Sequence, residues 1–195
     1  PFSGVGLKAY NKANEDITSQ VFAASGFMKV DADYTARPYA EWSAGDWPKT
    51  YQNPSYRNLF AIGIAFAPPH LISKPMQSAN GTPINPAPPR TGMPSAAMAI
   101  AVAKSICDMI NGAEAPTHTA SMAKMGAACV ASTGAHLLRG SAATMTVYPI
   151  VPDYETYPEY GRDLELTFGE IGLAGHWLKT LLHHTFIYQA RLKPG

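Results

Sequence analysis

The sequence predicts an α/β chain, and three stretches carry that prediction. The first, "LFAIGIAF" from Leu59 to Phe66, is a nearly continuous apolar run with β-branched and aromatic members. Such a run suits a strand buried on both faces of a parallel sheet, although a short buried helix would share it. The second, "SAAMAIAVAKSICDMINGAE", is the strongest helix: Ser95 can cap it, Ala, Met and Ile fill it, and Gly112 closes it. The third, "GHWLKTLLHHTFIYQARL", sets Trp177, Leu178, Leu181, Leu182, Phe186 and Ile187 at helical spacing on a wide apolar face, with Lys179, His183 and Arg191 at its polar margin.

The remaining elements fall between these. Residues 9–24 have mixed polarity and predict a short helix ending at Gly26. Phe27, Met28 and Val30 predict a short strand, and Asp31 a turn. Residues 37–57, rich in Pro, Trp and Tyr, predict an irregular excursion. The apolar run stops at Pro68-Pro69, and residues 68–94 carry eight prolines, which predicts a long irregular loop. The alternation from Ala143 to Tyr148 predicts a strand in an antiparallel unit, and Tyr154 to Gly161 an acidic, tyrosine-rich loop. Two regions are expected, 1–115 and 116–195.

Composition narrows the function classes. The chain has 195 residues, 46% hydrophobic and 15% charged, with a formal net charge of +1. That balance offers nothing to nucleic acid and leaves room for an exposed apolar patch. Two cysteines make neither a disulfide scaffold nor a four-ligand zinc site. No apolar run reaches the ~18 residues of a bilayer-spanning helix. The start, "PFSGVGLKAYNK", lacks the basic and apolar regions of a signal peptide and reads as the interior of a longer chain.

The chemistry centres on Cys129, within "MGAACVASTG". A thiol among Ala and Gly is either a small buried hydrophobe or a nucleophile that a flat reactant can approach. Cys107 shares a helical stripe with Ala103 and Ile110, so core packing is expected. Gly63 permits close backbone approach or simply ends a strand. Arg90-Thr91-Gly92 is a turn before a helix, and Lys179 a marginal or solvated lysine.

Four segments, in order, resemble sulfide:quinone oxidoreductases of the two-dinucleotide-binding-domain flavoprotein family. "NLFAIGIAFAPP" resembles the flavin-contacting strand-turn, with Ile64 where most relatives carry Asp. "PPRTGMPSAAMAIAVAKSI" resembles the Lys-Thr-Gly turn and its helix, with Arg90 in place of Lys. "MGAACVASTG" resembles the segment around the second redox cysteine, and "HWLKTLLHHTFIYQARLK" the C-terminal helix with its flavin-contacting lysine. The spacing from Cys129 to Lys179 is longer than usual, and Ser132 stands where Asp is frequent.

The resemblance implies the C-terminal portion of a Rossmann-like FAD/NAD(P)-binding flavoprotein, α+β as a fragment, with a C-terminal strand-and-amphipathic-helix region. It implies Cys129 as a catalytic thiol, Gly63, Ile64, Gly92 and Lys179 as FAD contacts, and Ala128, Val130, Leu182 and Phe186 as quinone contacts. It implies sulfide as substrate, peripheral attachment to a prokaryotic cell membrane, a homo-oligomer, and dependence on an N-terminal half. No G-x-G-x-x-G fingerprint occurs, so the adenine-dinucleotide half of the FAD site lies outside this chain. His183-His184 read as proton carriers near quinone or as surface histidines. Alternatives are a flavocytochrome-type sulfide dehydrogenase and a non-catalytic membrane-associated or oligomerising module. A type II NADH:quinone reductase is disfavoured by Ile64.

Overall fold

The computed structural model describes residues 6–84, 86–133, 138 and 140–191. Helix and sheet are mixed in two compact units that interleave along the chain. One runs through Ala127 and includes Tyr148–Arg162; the other comprises Ala128–Val147 and the segment from Asp163.

The first unit begins irregularly. The helix expected over 9–24 is confined to α1, Thr18–Val21. Asn11 and Asp16 explain the shortening. Asn11 Oδ1 accepts the Ala13 and Glu15 amides at 2.9 and 3.0 Å, and Asp16 Oδ1 accepts the Thr18 amide at 2.9 Å. These local bonds hold the backbone in turns that compete with helix.

Two polar hubs tie the loops together, half-buried Asp31 and buried Asn53. The Asp31 carboxylate accepts the successive amides of Lys49, Thr50 and Tyr51 at 3.0, 2.7 and 2.6 Å. Those bonds hold Tyr51 at φ 61°, a left-handed conformation that tyrosine rarely adopts. The Tyr51 ring is buried edge-on to Phe66, and its hydroxyl donates to the Ala120 carbonyl at 2.6 Å. Buried Asn53 donates to the carbonyls of Gln20 and Lys29 and accepts the amides of Ser55 and Tyr56.

The Leu59–Phe66 run is not the expected strand. It meets its neighbours through isolated bridges, Gln52 with Phe60 antiparallel and Met28 with Phe66 parallel, and Gly63–Ala65 forms a 3-10 turn. An apolar run records affinity for burial, whereas a strand also needs a continuous ladder on its flanks. The short strand expected at Phe27–Val30 is likewise reduced to bridges of Met28 with Phe22 and Phe66. Within the proline-rich loop, β1 (Met76–Gln77) and β2 (Pro83–Ile84) make a minimal antiparallel hairpin.

Helix α2, Gly92–Ile110, is the expected helix started earlier. Thr91 occupies the N-cap, and Ser95 sits in the first turn with its hydroxyl donating to the Arg90 carbonyl at 3.2 Å. Pro94, Met98, Ala101, Val102 and Ser105 face the core. Cys107, expected in the core, is exposed, because the buried face of α2 lies on its other side. By length and composition α2 would also suffice to cross a bilayer, since Lys104 and Asp108 are its only charged residues. An uninterrupted-run criterion passes over such a helix.

His70 carries a pH prediction. Its ring stacks on Trp42 at 4.4 Å, its Nε2 accepts the Trp47 Nε1–H at 2.6 Å, and its Nδ1 lies 2.7 Å from the Leu71 carbonyl. The tautomer with hydrogen on Nδ1 satisfies both contacts; protonation would set Nε2–H against the indole N–H. Burial pushes the His70 pKa below its ordinary 6.5; Asp46 opposes this and Arg37 adds to it. A base depressed in the folded state contributes stability that is complete above the unfolded pKa and is lost as pH falls through the folded one. The thermal midpoint is therefore expected to decline as pH drops below about 6.5, and less so in His70→Gln. Melts followed by tryptophan fluorescence check this.

In the second unit β3 (Ala127–Thr133), β4 (Ser141–Val147) and β5 (Gly169–Gly172) form a three-stranded sheet in that order. Strand β4, as the alternation predicted, runs antiparallel to β5, with Ala142 opposite Gly172 and Thr144 opposite Glu170. Helix α3, Leu173–Ala190, follows β5 directly. Its buried residue is Gly175, where a Cβ would overlap Thr144 Oγ1 and lie 3.3 Å from the Ala142 Cβ. Gly175→Val is thus expected to destabilise the unit by about 2 kcal/mol through overpacking, seen as faster amide exchange in β4 and early α3.

Candidate functional site

In the first unit the structure brings Gly63, Ile64 and Gly92 together. Gly63 has φ 57° and is buried, and a Cβ there would stand 2.7 Å from Ser95 Oγ, so glycine lets the turn seat on the first turn of α2. The Gly63 amide donates to Met98 Sδ at 3.3 Å. Arg90 braces the turn from the other side: its Nη1 donates to the carbonyls of Phe66 at 2.6 Å and Ile64 at 3.3 Å. The same guanidinium lies over the Phe27 and Phe66 rings at 5.2 and 5.3 Å. Burial pushes its pKa below the ordinary guanidinium range. Arg90 is therefore a structural brace, a role its place before the helix does not reveal.

Ile64 is 62% exposed beside this brace. Gly92 is also exposed, and a Cβ there would meet nothing within 4 Å. The result is open backbone at the start of a 19-residue helix. Amides there can donate to the carbonyl or anionic edge of a flat ring system.

In the second unit Cys129 is exposed on β3. Side chains alternate across a sheet, and two contacts tell the faces apart. Ser132 Oγ lies 2.9 Å from His176 Nδ1 on α3, and Gly175 packs over Ala142 and Thr144. Ala128, Val130 and Ser132 therefore share the α3 face with Ala142 and Thr144. Cys129 and Ala131 lie on the opposite face with Ala143, Met145 and Ile171. Met145 and Ile171 are 63% and 80% exposed, so the thiol sits on an open apolar surface. Met145 and Ile171 escaped the sequence reading. The alternation of β4 could have flagged Met145, but "GEIG" is too short to announce a strand.

Helix α3 touches the sheet with its first turn, and its later residues stand in solvent. Lys179, Leu182 and Phe186 are all exposed, as are His183 and His184, whose rings meet edge to face at 5.5 Å. The structure thus puts the quinone candidates Ala128 and Val130 on the α3 side of the sheet, with Leu182 and Phe186 further along that helix.

No family model matches the chain. Over 143 residues it is 29% identical to a sulfide-quinone reductase of Aquifex aeolicus (strain VF5). The match covers 73% of this chain and 27% of that protein, so the chain spans well under two thirds of its relative. The relationship to that reductase is a distant one.

Proposed function

We propose that this chain is the C-terminal part of a flavin-dependent sulfide:quinone oxidoreductase. The observation that carries the reading is an exposed thiol, Cys129, on an open apolar sheet face in a chain distantly related to a sulfide-quinone reductase. Sulfide is oxidised there. Hydrosulfide attacks a disulfide between Cys129 and a second cysteine elsewhere in the polypeptide, leaving a persulfide on one sulfur and a thiolate on the other. Small Ala131 and Ala143 leave room for a growing sulfur chain beside the thiol.

The turn at Gly63 fits FAD. The open backbone at Gly92 and exposed Ile64, on the turn that buried Gly63 seats against α2, accept a flat ring, and the α2 amides donate to its polar edge. On the resemblance, Lys179 balances the negative charge of reduced flavin. When bound, FAD supplies the two-electron acceptor between thiol and quinone. Ala128, Val130, Leu182 and Phe186 offer quinone an apolar lining on the α3 side, so sulfide and quinone are handled at opposite faces of one sheet. The flavin-bearing region is Rossmann-like in the whole protein, and α3 attaches it to the membrane surface.

The test uses the full-length polypeptide. It is expected to carry an oxidised-flavin spectrum that bleaches on adding sulfide and returns on adding a quinone. A flavin-free protein, or a flavin indifferent to sulfide, sinks the reading.

A further inference from the structure

We propose that the outward face of α2 is the seat of a packed layer supplied by the rest of the same polypeptide, outside this chain. Met93, Ala96, Ile100, Ala103, Cys107 and Ile110 are all exposed and recur at alternating spacings of three and four. At 3.6 residues per turn they form a stripe about 100° wide, centred on the side of the helix opposite the buried Met98, Ala101, Val102 and Ser105. Ile100 is 58% exposed and Ile110 78%. A helix that is apolar on both sides belongs between two layers, and this unit supplies one of them. Lys104 and Asp108 mark one flank, so the stripe is bounded.

Three observations select the occupant. The relative matches over only 27% of its own length, which leaves most of a protein of that kind outside the aligned part. The stripe begins at Met93, next to Gly92, so a layer on it continues onto the ground where the other half of the flavin site is needed; this step rests on the flavoprotein reading. A second copy of α2 fits poorly. Ala96 and Ala103 fill two of the three positions that a two-helix seam gives to Leu. A stable dimer also needs about 800 Å² from each partner, more than six side chains of this size offer.

Cys107 reports the result, because it lies mid-stripe. In the native full-length protein its alkylation, resolved by peptide mass, is expected to be at least about 100-fold slower than in the urea-unfolded protein, as for a group reached only by local opening. The protection should be the same across a dilution series in which sedimentation shows monomer. Alkylation as fast as in urea overturns the proposal. So does protection confined to a dimer and lost on dilution, or a Cys107 disulfide joining two chains on oxidation. The visible spectrum separates the two readings: protection without flavin keeps the docked layer and removes the flavoprotein assignment, and flavin with a rapidly alkylated Cys107 does the reverse.

Discussion

Replacing Cys129 by Ala in the full-length protein is expected to slow sulfide-dependent bleaching of the flavin by at least about 1,000-fold, because the disulfide that hydrosulfide attacks can no longer form. The site favours a clean result. Cys129 is exposed on β3, so losing the sulfur leaves no cavity, and surface substitutions of this kind change stability by about 0.5 kcal/mol or less. Flavin content and its reduction by dithionite should therefore be unchanged while the reaction with sulfide collapses. Cys129→Ser is expected to fail equally, since a hydroxyl forms neither disulfide nor persulfide. Stopped-flow absorbance reads all of this. Parent and variant bleaching at the same rate would make Cys129 a packing residue and reopen the substrate assignment.

What the sequence revealed follows from how each element announces itself. Helices α2 and α3 and strand β4 show periods of 3.6 and 2 over long enough stretches to be read directly. The Leu59–Phe66 run misled because apolar content does not say whether a ladder exists beside it; Gly63 at φ 57° turns the chain instead. The bonds that shape the first unit were invisible for another reason. Asp31 accepts amides 18 to 20 positions away, and no local pattern marks such a partner. Cys107 shows the limit of a helical stripe: spacing correctly groups it with Ala103 and Ile110, but α2 has two apolar sides, and spacing does not say which one this unit covers. At the candidate site, the resemblance singled out Gly63 and Cys129, while the brace by Arg90 and the face shared with Met145 and Ile171 emerge only when the chain is folded.

Helix α3 poses that same question of cover, and it can be answered by titration against lipid. Trp177, Leu178, Leu181, Leu182, Phe186 and Tyr188 are all exposed, and at 3.6 residues per turn they occupy about half the circumference. Lys179, Thr180, His183 and His184 lie on the other half together with Ile187, which spacing alone groups with the apolar face, and no acidic residue occurs between Leu173 and Ala190. An apolar arc with aromatic members and a basic margin suits the interface of an anionic membrane. Leu178 and Leu181 lie near the middle of the arc, so Leu178→Asp with Leu181→Asp in the full-length protein removes the burial of two leucines, each about 1.5–3 kcal/mol. Binding to vesicles of phosphatidylglycerol and phosphatidylethanolamine is then expected to weaken by at least about 100-fold, the lower end of that sum. Lys179→Ala should cost far less, about 1 kcal/mol or roughly 5-fold, and its effect should vanish at high salt because it acts through surface charge. Sulfide-dependent bleaching of the flavin by the double variant in detergent should persist, which separates a lost anchor from a damaged site. If the double variant binds vesicles as the parent does, the apolar arc of α3 serves a protein partner, and the attachment lies elsewhere.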